Sequence, residues 1–264
     1  MKSTKEGTTN YSKAGITKGE MSLPRMFVLA IMAGMFIAFA GVASTTAAVS
    51  IQSPSLAKLV TALIFPAGLA MVVINGTELF TGNNLMIISV LNKKESVQQM
   101  LRNWVVVYIG NFVGSLFVTG LCTLGHVYSL FDKQLATSVV STAVTKCNLT
   151  FSDAFIKAIL CNILVCLAVM MTMMTDSLGG KVAALYFPIM VFVICGFEHS
   201  VANMSYISGG LFVNMEYGNL GVDTTGLTWF NFLIGNMVPV TLGNIVGGCA
   251  TGIACWYTNI HRTN

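Results

Sequence analysis

The chain has 264 residues, 55% of them hydrophobic and only 9% charged, with a mean hydropathy of +0.75. A soluble domain carries roughly 25% charged residues, so the composition excludes an ordinary soluble enzyme or binding module and predicts an integral membrane protein. The net charge of +4 follows membrane topology and does not suggest nucleic acid, and no phosphate-cradling Walker motif is present through which the chain would itself use ATP.

Residues 1–24 form a lysine-bearing segment (Lys2, Lys5, Lys13, Lys18) read as cytoplasmic. The apolar run after Arg25 is too long for a signal-peptide core, so no cleavage is expected. Spans follow at about 25–50, 56–91, 103–130, 151–175, 182–208 and 229–257, each meeting the ~20 apolar residues a crossing helix needs. Long glycine-rich apolar runs argue against a membrane barrel. The expected architecture is all-α: six crossings in one domain over 25–258, with 259–264 a cytoplasmic tail. Placing the N-terminus inside puts Lys93, Lys94, Arg102, Lys181 and Arg262 with the N-terminal cations, against Lys58, Lys133 and Lys146 outside. This satisfies the positive-inside rule with both termini cytoplasmic, in the plasma (inner) membrane.

The second and fifth spans are broken. Asn75-Gly76-Thr77-Glu78-Leu79-Phe80-Thr81-Gly82-Asn83-Asn84 interrupts one and Cys195-Gly196-Phe197-Glu198-His199-Ser200 the other. Unwound backbone and ionisable side chains survive at membrane depth only when buried in protein or lining a wet cavity, so the pair marks a binding site or permeation path. Gly110-Asn111-Phe112-Val113-Gly114 in the third span is echoed by Gly243-Asn244-Ile245-Val246-Gly247 in the sixth. A broken middle helix followed by a G-N-x-V-G helix, twice over three spans, implies an inverted repeat (about 25–130 and 151–258) with the site at the repeat interface. The glycines at this spacing read first as close helix packing.

His199 is the histidine within a break; imidazole can donate or accept a hydrogen bond and titrates near neutrality, which suits a small anion or weak acid, while a neutral histidine tying the break together is the plainer alternative. Glu78 and Glu198 are expected to accept bonds from free backbone amides near half-helix ends, as scaffold; for a cationic substrate the same carboxylates would be ligands. Thr81 offers a hydroxyl, and Asn83 or Asn84 can cap a half-helix opening at Leu85. Phe65, Leu69, Leu79, Phe80 and Phe192 surround these groups with greasy constrictions that block hydrated ions and pass a small neutral acid. Lys146 reads as a loop lysine before the fourth span, and Asp153 with Lys157 as a helix-end salt bridge or a snorkelling lysine. The stretch Gly209 to Thr228 reads as a glycine-rich, polar extracytoplasmic loop. The seven cysteines and the Met170, Met171, Met173, Met174 cluster read as apolar filling, with no metal site and no cofactor. An intramembrane hydrolase using His199 with Ser200 or Ser208 lacks a recognisable nucleophile motif, so no enzymatic activity is expected.

Across all six spans the sequence resembles the formate/nitrite transporter family, through Gly76-Thr77-Glu78-Leu79-Phe80-Thr81, the run from Asn162 to Val169, Gly196-Phe197-Glu198-His199-Ser200-Val201-Ala202-Asn203-Met204, and the run from Asn236 to Gly248. The resemblance implies an aquaporin-like protomer, a homopentamer with one pore per subunit, and permeation of small weak-acid anions. It implies that His199 and Thr81 form the central polar site, that Lys146 draws anions into the outer vestibule, and that Asn162 helps place Lys146 or the central site. It makes Phe65, Phe80 and Phe192 the outer constriction, with Leu69 and Leu79 at the inner one. Within the family the chain looks most like the hydrosulfide-channel branch, which puts hydrosulfide first, with formate and nitrite as alternatives; Gly82-Asn83-Asn84 departs from the pattern of the formate members.

Overall fold

The computed structural model describes residues 1–261 and is all-helical among them, so Arg262 and the end of the expected tail lie outside the described residues. Among the described residues, five helices are long and apolar enough to cross a membrane: Leu23–Ala48, Pro54–Ile74, Val97–Leu124, Phe151–Thr172 and Asn231–Asn259. Phe80–Leu91 and Leu178–Ile194 are shorter apolar helices. The chain is a multi-pass membrane protein.

The N-terminal segment is not an unstructured run of charge. It forms α1 (Thr4–Glu20), opened by a capping box in which Ser3 Oγ accepts from Glu6 N while Glu6 Oε2 accepts from Ser3 N at 2.7 Å. α1 lies against the body: Tyr11 is buried, Ser89 Oγ donates to Ser12 O at 2.9 Å, and Arg102 Nη2 donates to Gly19 O and Met21 O. A Cβ on Gly15 would overlap Ser89, and one on Gly19 would overlap the Glu95 carboxylate.

α2 (Leu23–Ala48) is followed by α3 (Pro54–Ile64) and α4 (Pro66–Ile74), which Pro66 separates because its ring supplies no N–H to the preceding turn. After the first interruption the chain re-enters helix at Phe80, not Leu85: α5 (Phe80–Asn83), one 3₁₀ turn at Asn84–Met86, and α6 (Ile87–Leu91). α7 (Val97–Leu124) packs along α2. The segment before the fourth span is itself helical, α8 (Gln134–Cys147), and Lys146 sits in its last turn. α9 (Phe151–Thr172) leads to α10 (Leu178–Ile194), the second interruption, and α11 (Ser200–Tyr217). α11 thus runs nine residues past Ser208, and the expected loop shrinks to the residues after Tyr217. Gly209 and Gly210, taken as loop signals, are contact points instead: a Cβ on Gly210 would overlap Ala143 of α8. A π-helical stretch, Asn231–Asn236, opens α12 (Met237–Asn259), which packs along α9.

The G-N-x-V-G glycines sit where backbones meet. A Cβ on Gly114 would overlap Ile31 O, and Cβ atoms on Gly243 and Gly247 would overlap Phe155 O and Ile159 O. The α2–α7 pair and the α9–α12 pair are therefore built alike, with the two interruptions held between them.

Candidate functional site

Each interruption begins with a glycine in the left-handed region, Gly76 at φ +62° and Gly196 at φ +66°, which reverses the chain without a Cβ penalty. The extended residues that follow are stitched by one asparagine apiece. Asn111 Nδ2 donates to Glu78 O and Ala30 O, and Asn111 Oδ1 accepts from Phe80 N. Asn244 Nδ2 donates to Glu198 O and Ala158 O, and Asn244 Oδ1 accepts from Ser200 N. These are the asparagines of the repeated motif. Their pairing of freed backbone groups at membrane depth is what permits the breaks.

The glutamates are held by side chains rather than by the backbone amides expected for them. Lys18 Nζ donates to Glu78 Oε1 at 2.6 Å, and Glu78 Oε2 accepts from Asn83 Nδ2 and Asn103 Nδ2. Lys146 Nζ donates to both Glu198 oxygens at 2.9 Å, and Asn203 Nδ2 donates to Glu198 Oε2 at 2.6 Å. A desolvated carboxylate needs a cation, and amides alone do not supply one. The parallel extends outward: Asn83 Nδ2 also bonds Asn103 Oδ1 and Asn203 Nδ2 also bonds Asn236 Oδ1, each at 2.8 Å. Neither Asn83 nor Asn84 caps a half-helix, since Asn83 is engaged by Glu78 and Asn84 Oδ1 accepts from Asn162.

His199 caps α11. Its Nδ1 accepts from Ala202 N at 3.0 Å, so the proton of the neutral ring sits on Nε2, which donates to Thr81 Oγ1 at 2.9 Å. This one contact joins the two interruptions. The imidazole is 3% exposed and stacks on Phe192 at 5.8 Å between centroids, and Phe192 meets Phe65 edge-on at 5.7 Å. His199 engages neither Ser200 nor Ser208; Ser208 Oγ donates to Met204 O.

Two cavities approach this contact along α3 and α4. One of about 540 Å³ is lined by Lys58, Thr61 and Phe65, and by Lys146, Lys157, Phe192, Glu198 and His199. The other, about 210 Å³, is lined by Leu69, Val72, Thr77, Leu79, Gly82 and by Tyr11 and Lys18 of α1. Phe65 belongs to the first and Leu69, one turn on, to the second. His199 lines the larger cavity, and Gly82, next to Thr81, lines the smaller one.

The formate/nitrite transporter family model matches residues 5–258. The chain belongs to the formate/nitrite transporter family. Members are channels and transporters, not enzymes. The chain is 40% identical over 262 residues to a probable formate transporter of Methanothermobacter thermautotrophicus, covering 91% of each. It is 40% identical over 251 residues to the formate channel FocA of Haemophilus influenzae, covering 91% of this chain and 88% of that one. A solved pentameric formate channel with formate bound superposes with a TM-score of 0.80 at 35% identity, over 91% of this chain and 98% of its own.

Several residues that the family resemblance singled out lie together and others do not. Thr81, His199, Phe65 and Phe192 converge, and Leu69 and Leu79 line the smaller cavity. Phe80 points elsewhere: its ring packs on Trp104 and Tyr108 of α7, 6.3 and 4.9 Å between centroids. Asn162 serves the centre and not Lys146, donating to Thr81 O, Asn84 Oδ1 and Asn244 O. Lys146 is tied to Glu198 at the wall of the larger cavity. Asp153 takes its bond from Thr150, and among the described residues Lys157 has no ion pair. Lys18, Tyr11, Asn103, Asn203 and Asn236 in this family member were not singled out as site residues from sequence. The five-residue spacing from Glu78 to Asn83 and from Glu198 to Asn203 was the available signal.

Proposed function

We propose that the chain is a channel for a small monovalent weak-acid anion, formate foremost, crossing the plasma membrane six times as an inverted three-helix repeat in an aquaporin-like protomer. The observation that carries this is the buried Thr81–His199 hydrogen bond set among apolar side chains beside two cavities. Relatives named as formate transporters and channels over nine-tenths of the chain favour formate over hydrosulfide, and the pentameric formate channel favours a homopentamer. On this reading both termini are cytoplasmic, the larger cavity faces outward and the smaller one inward.

The physics of passage follows from the walls. An anion leaving the polar cavity for the gap between Phe65, Phe192 and Leu69 loses hydration, which raises its affinity for a proton and favours the neutral acid. Thr81 and the Nε2–H of His199 then offer the hydrogen bonds the desolvated species needs. Nδ1 faces the Ala202 N–H head-on, so the geometry does not suit a second ring proton, and the proton reaches the permeant from cavity water.

The test is stopped-flow uptake of formate, hydrosulfide, nitrite and chloride by purified protein in liposomes across pH. Formate exceeds chloride by orders of magnitude and outruns hydrosulfide if the reading holds. Hydrosulfide leading would reverse the substrate order, and no anion flux above protein-free vesicles would overturn the channel.

A further inference from the structure

Three lysines line the larger cavity, and only one of them is neutralised. Lys146 is clamped by both oxygens of Glu198, its Nζ standing 5.6 Å from the Tyr206 ring centroid, and at any distance beyond a few ångströms the pair acts as a dipole, not as a positive charge. Among the described residues Lys58 and Lys157 are in no ion pair, and Glu198 is the cavity's one carboxylate. The Lys58 ammonium is placed at the turn itself: its Nζ is 3.8 Å from where a Cβ on Gly196 would lie.

The wall that α8 contributes is complementary. Ser138, Ser141, Thr142 and Thr145 all line the cavity, at spacings of three, one and three that put them on one helical face. Thr45, Thr61 and Thr145 donate their hydroxyl protons to Gly41 O, Ala57 O and Ser141 O of their own helices, so the hydroxyl donors available to the cavity are Ser138, Ser141 and Thr142. Uncompensated ammonium groups facing a row of hydroxyl donors suit an anion with oxygen acceptors, that is, a small carboxylate.

We infer that Lys58 is the capture residue of this cavity, the charge that concentrates a small carboxylate at its mouth with help from Lys157 and the α8 hydroxyls, and that Lys146 is a strut locking the second break. This rests on the channel reading above and assigns the electrostatic work to a different lysine from the one that the family resemblance points to. Lys58 touches no part of the Thr81–His199 contact, so its removal alters capture and leaves the crossing step intact.

Initial rates of formate uptake into liposomes, measured against formate concentration at low and high salt, separate the roles. Lys58→Gln raises the KM for formate about three- to tenfold at about 0.01 M salt with an unchanged maximal rate, and the difference falls below about twofold at about 1 M, where the screening length is roughly 3 Å. Lys58→Arg restores the wild-type KM. A KM for Lys58→Gln equal to wild type at low salt overturns the inference, as does a rise that persists undiminished at high salt or that arginine does not correct. Should Lys58→Gln fail to assemble, Lys58→Met under the same salt series carries the comparison. Wild-type vesicles with no formate flux would overturn the channel reading itself, whereas wild-type flux with an unshifted Lys58→Gln overturns only the role of Lys58.

Discussion

Replacing Lys18 by methionine tests whether the N-terminal helix is part of the site or merely adjacent to it. The substitution strands Glu78, which is 2% exposed, with only the amides of Asn83 and Asn103 for partners. Unit charges about 4 Å apart at an effective dielectric of about 20 interact by about 4 kcal/mol. Truncating one partner of a buried pair costs roughly 3–5 kcal/mol, because the other charge stays buried. At about 2–4 °C per kcal/mol for a domain of this size, Lys18→Met should unfold roughly 6–20 °C below wild type. Trp104 Nε1 donates to Asn83 O at 2.9 Å, so tryptophan fluorescence during a thermal ramp in detergent reports directly on this network. Adding Glu78→Gln removes the stranded charge, and the double variant should recover at least half of the loss, a coupling that a cycle of the four proteins measures. A Lys18→Met midpoint within about 2 °C of wild type would refute the reasoning. So would a double variant no more stable than the single one.

Three further outcomes follow from the same contacts. Thr81→Val keeps the shape of the centre and strands the Nε2–H of His199, a loss of about 1.4 kcal/mol or more, so formate flux should fall at least about tenfold and the unfolding midpoint by roughly 3–6 °C; unchanged flux counts against the centre. Asn244→Ala leaves Ser200 N and the carbonyls of Ala158 and Glu198 without their partner and should lower the midpoint by roughly 4–8 °C. Asn111→Ala should do the same, and a large drop in only one of the two would show that the breaks are not held alike. Burial against α1, with no hydrogen-bond partner, pushes the Glu95 carboxyl from 4.5 up to about 7, with the Lys18 ammonium opposing. Between those values the folded chain holds a proton that the unfolded chain has released, so stability is fully present below about 4.5 and is lost as pH rises through about 7. Wild type should therefore lose thermal stability from pH 5 to 8 relative to Glu95→Gln, and parallel profiles would contradict this.

The apolar spans and the two interruptions are legible in the sequence because lipid constrains composition and backbone together. The groups that complete the site are less legible. Lys18 pairs with a residue 60 positions away and Lys146 with one 52 away, and neither distance leaves a mark on local pattern. Lys18 looks like a topology charge, and α1 and α8 are polar enough to pass for loops. The small residues at Gly209 and Gly210 carry two meanings, turn and close contact, and only the packing of α11 on α8 decides between them. Phe80 shares a break with Thr81 but points the other way, since neighbouring residues at a helix start face roughly 100° apart.

The most direct measurement is formate uptake by purified protein in liposomes, comparing wild type with His199→Leu at matched protein density and thermal stability. The account predicts rapid wild-type uptake that accelerates as pH falls, and a variant reduced at least about tenfold at every pH, with the acceleration kept because the proton comes from cavity water. Uptake by His199→Leu at the wild-type rate would contradict it.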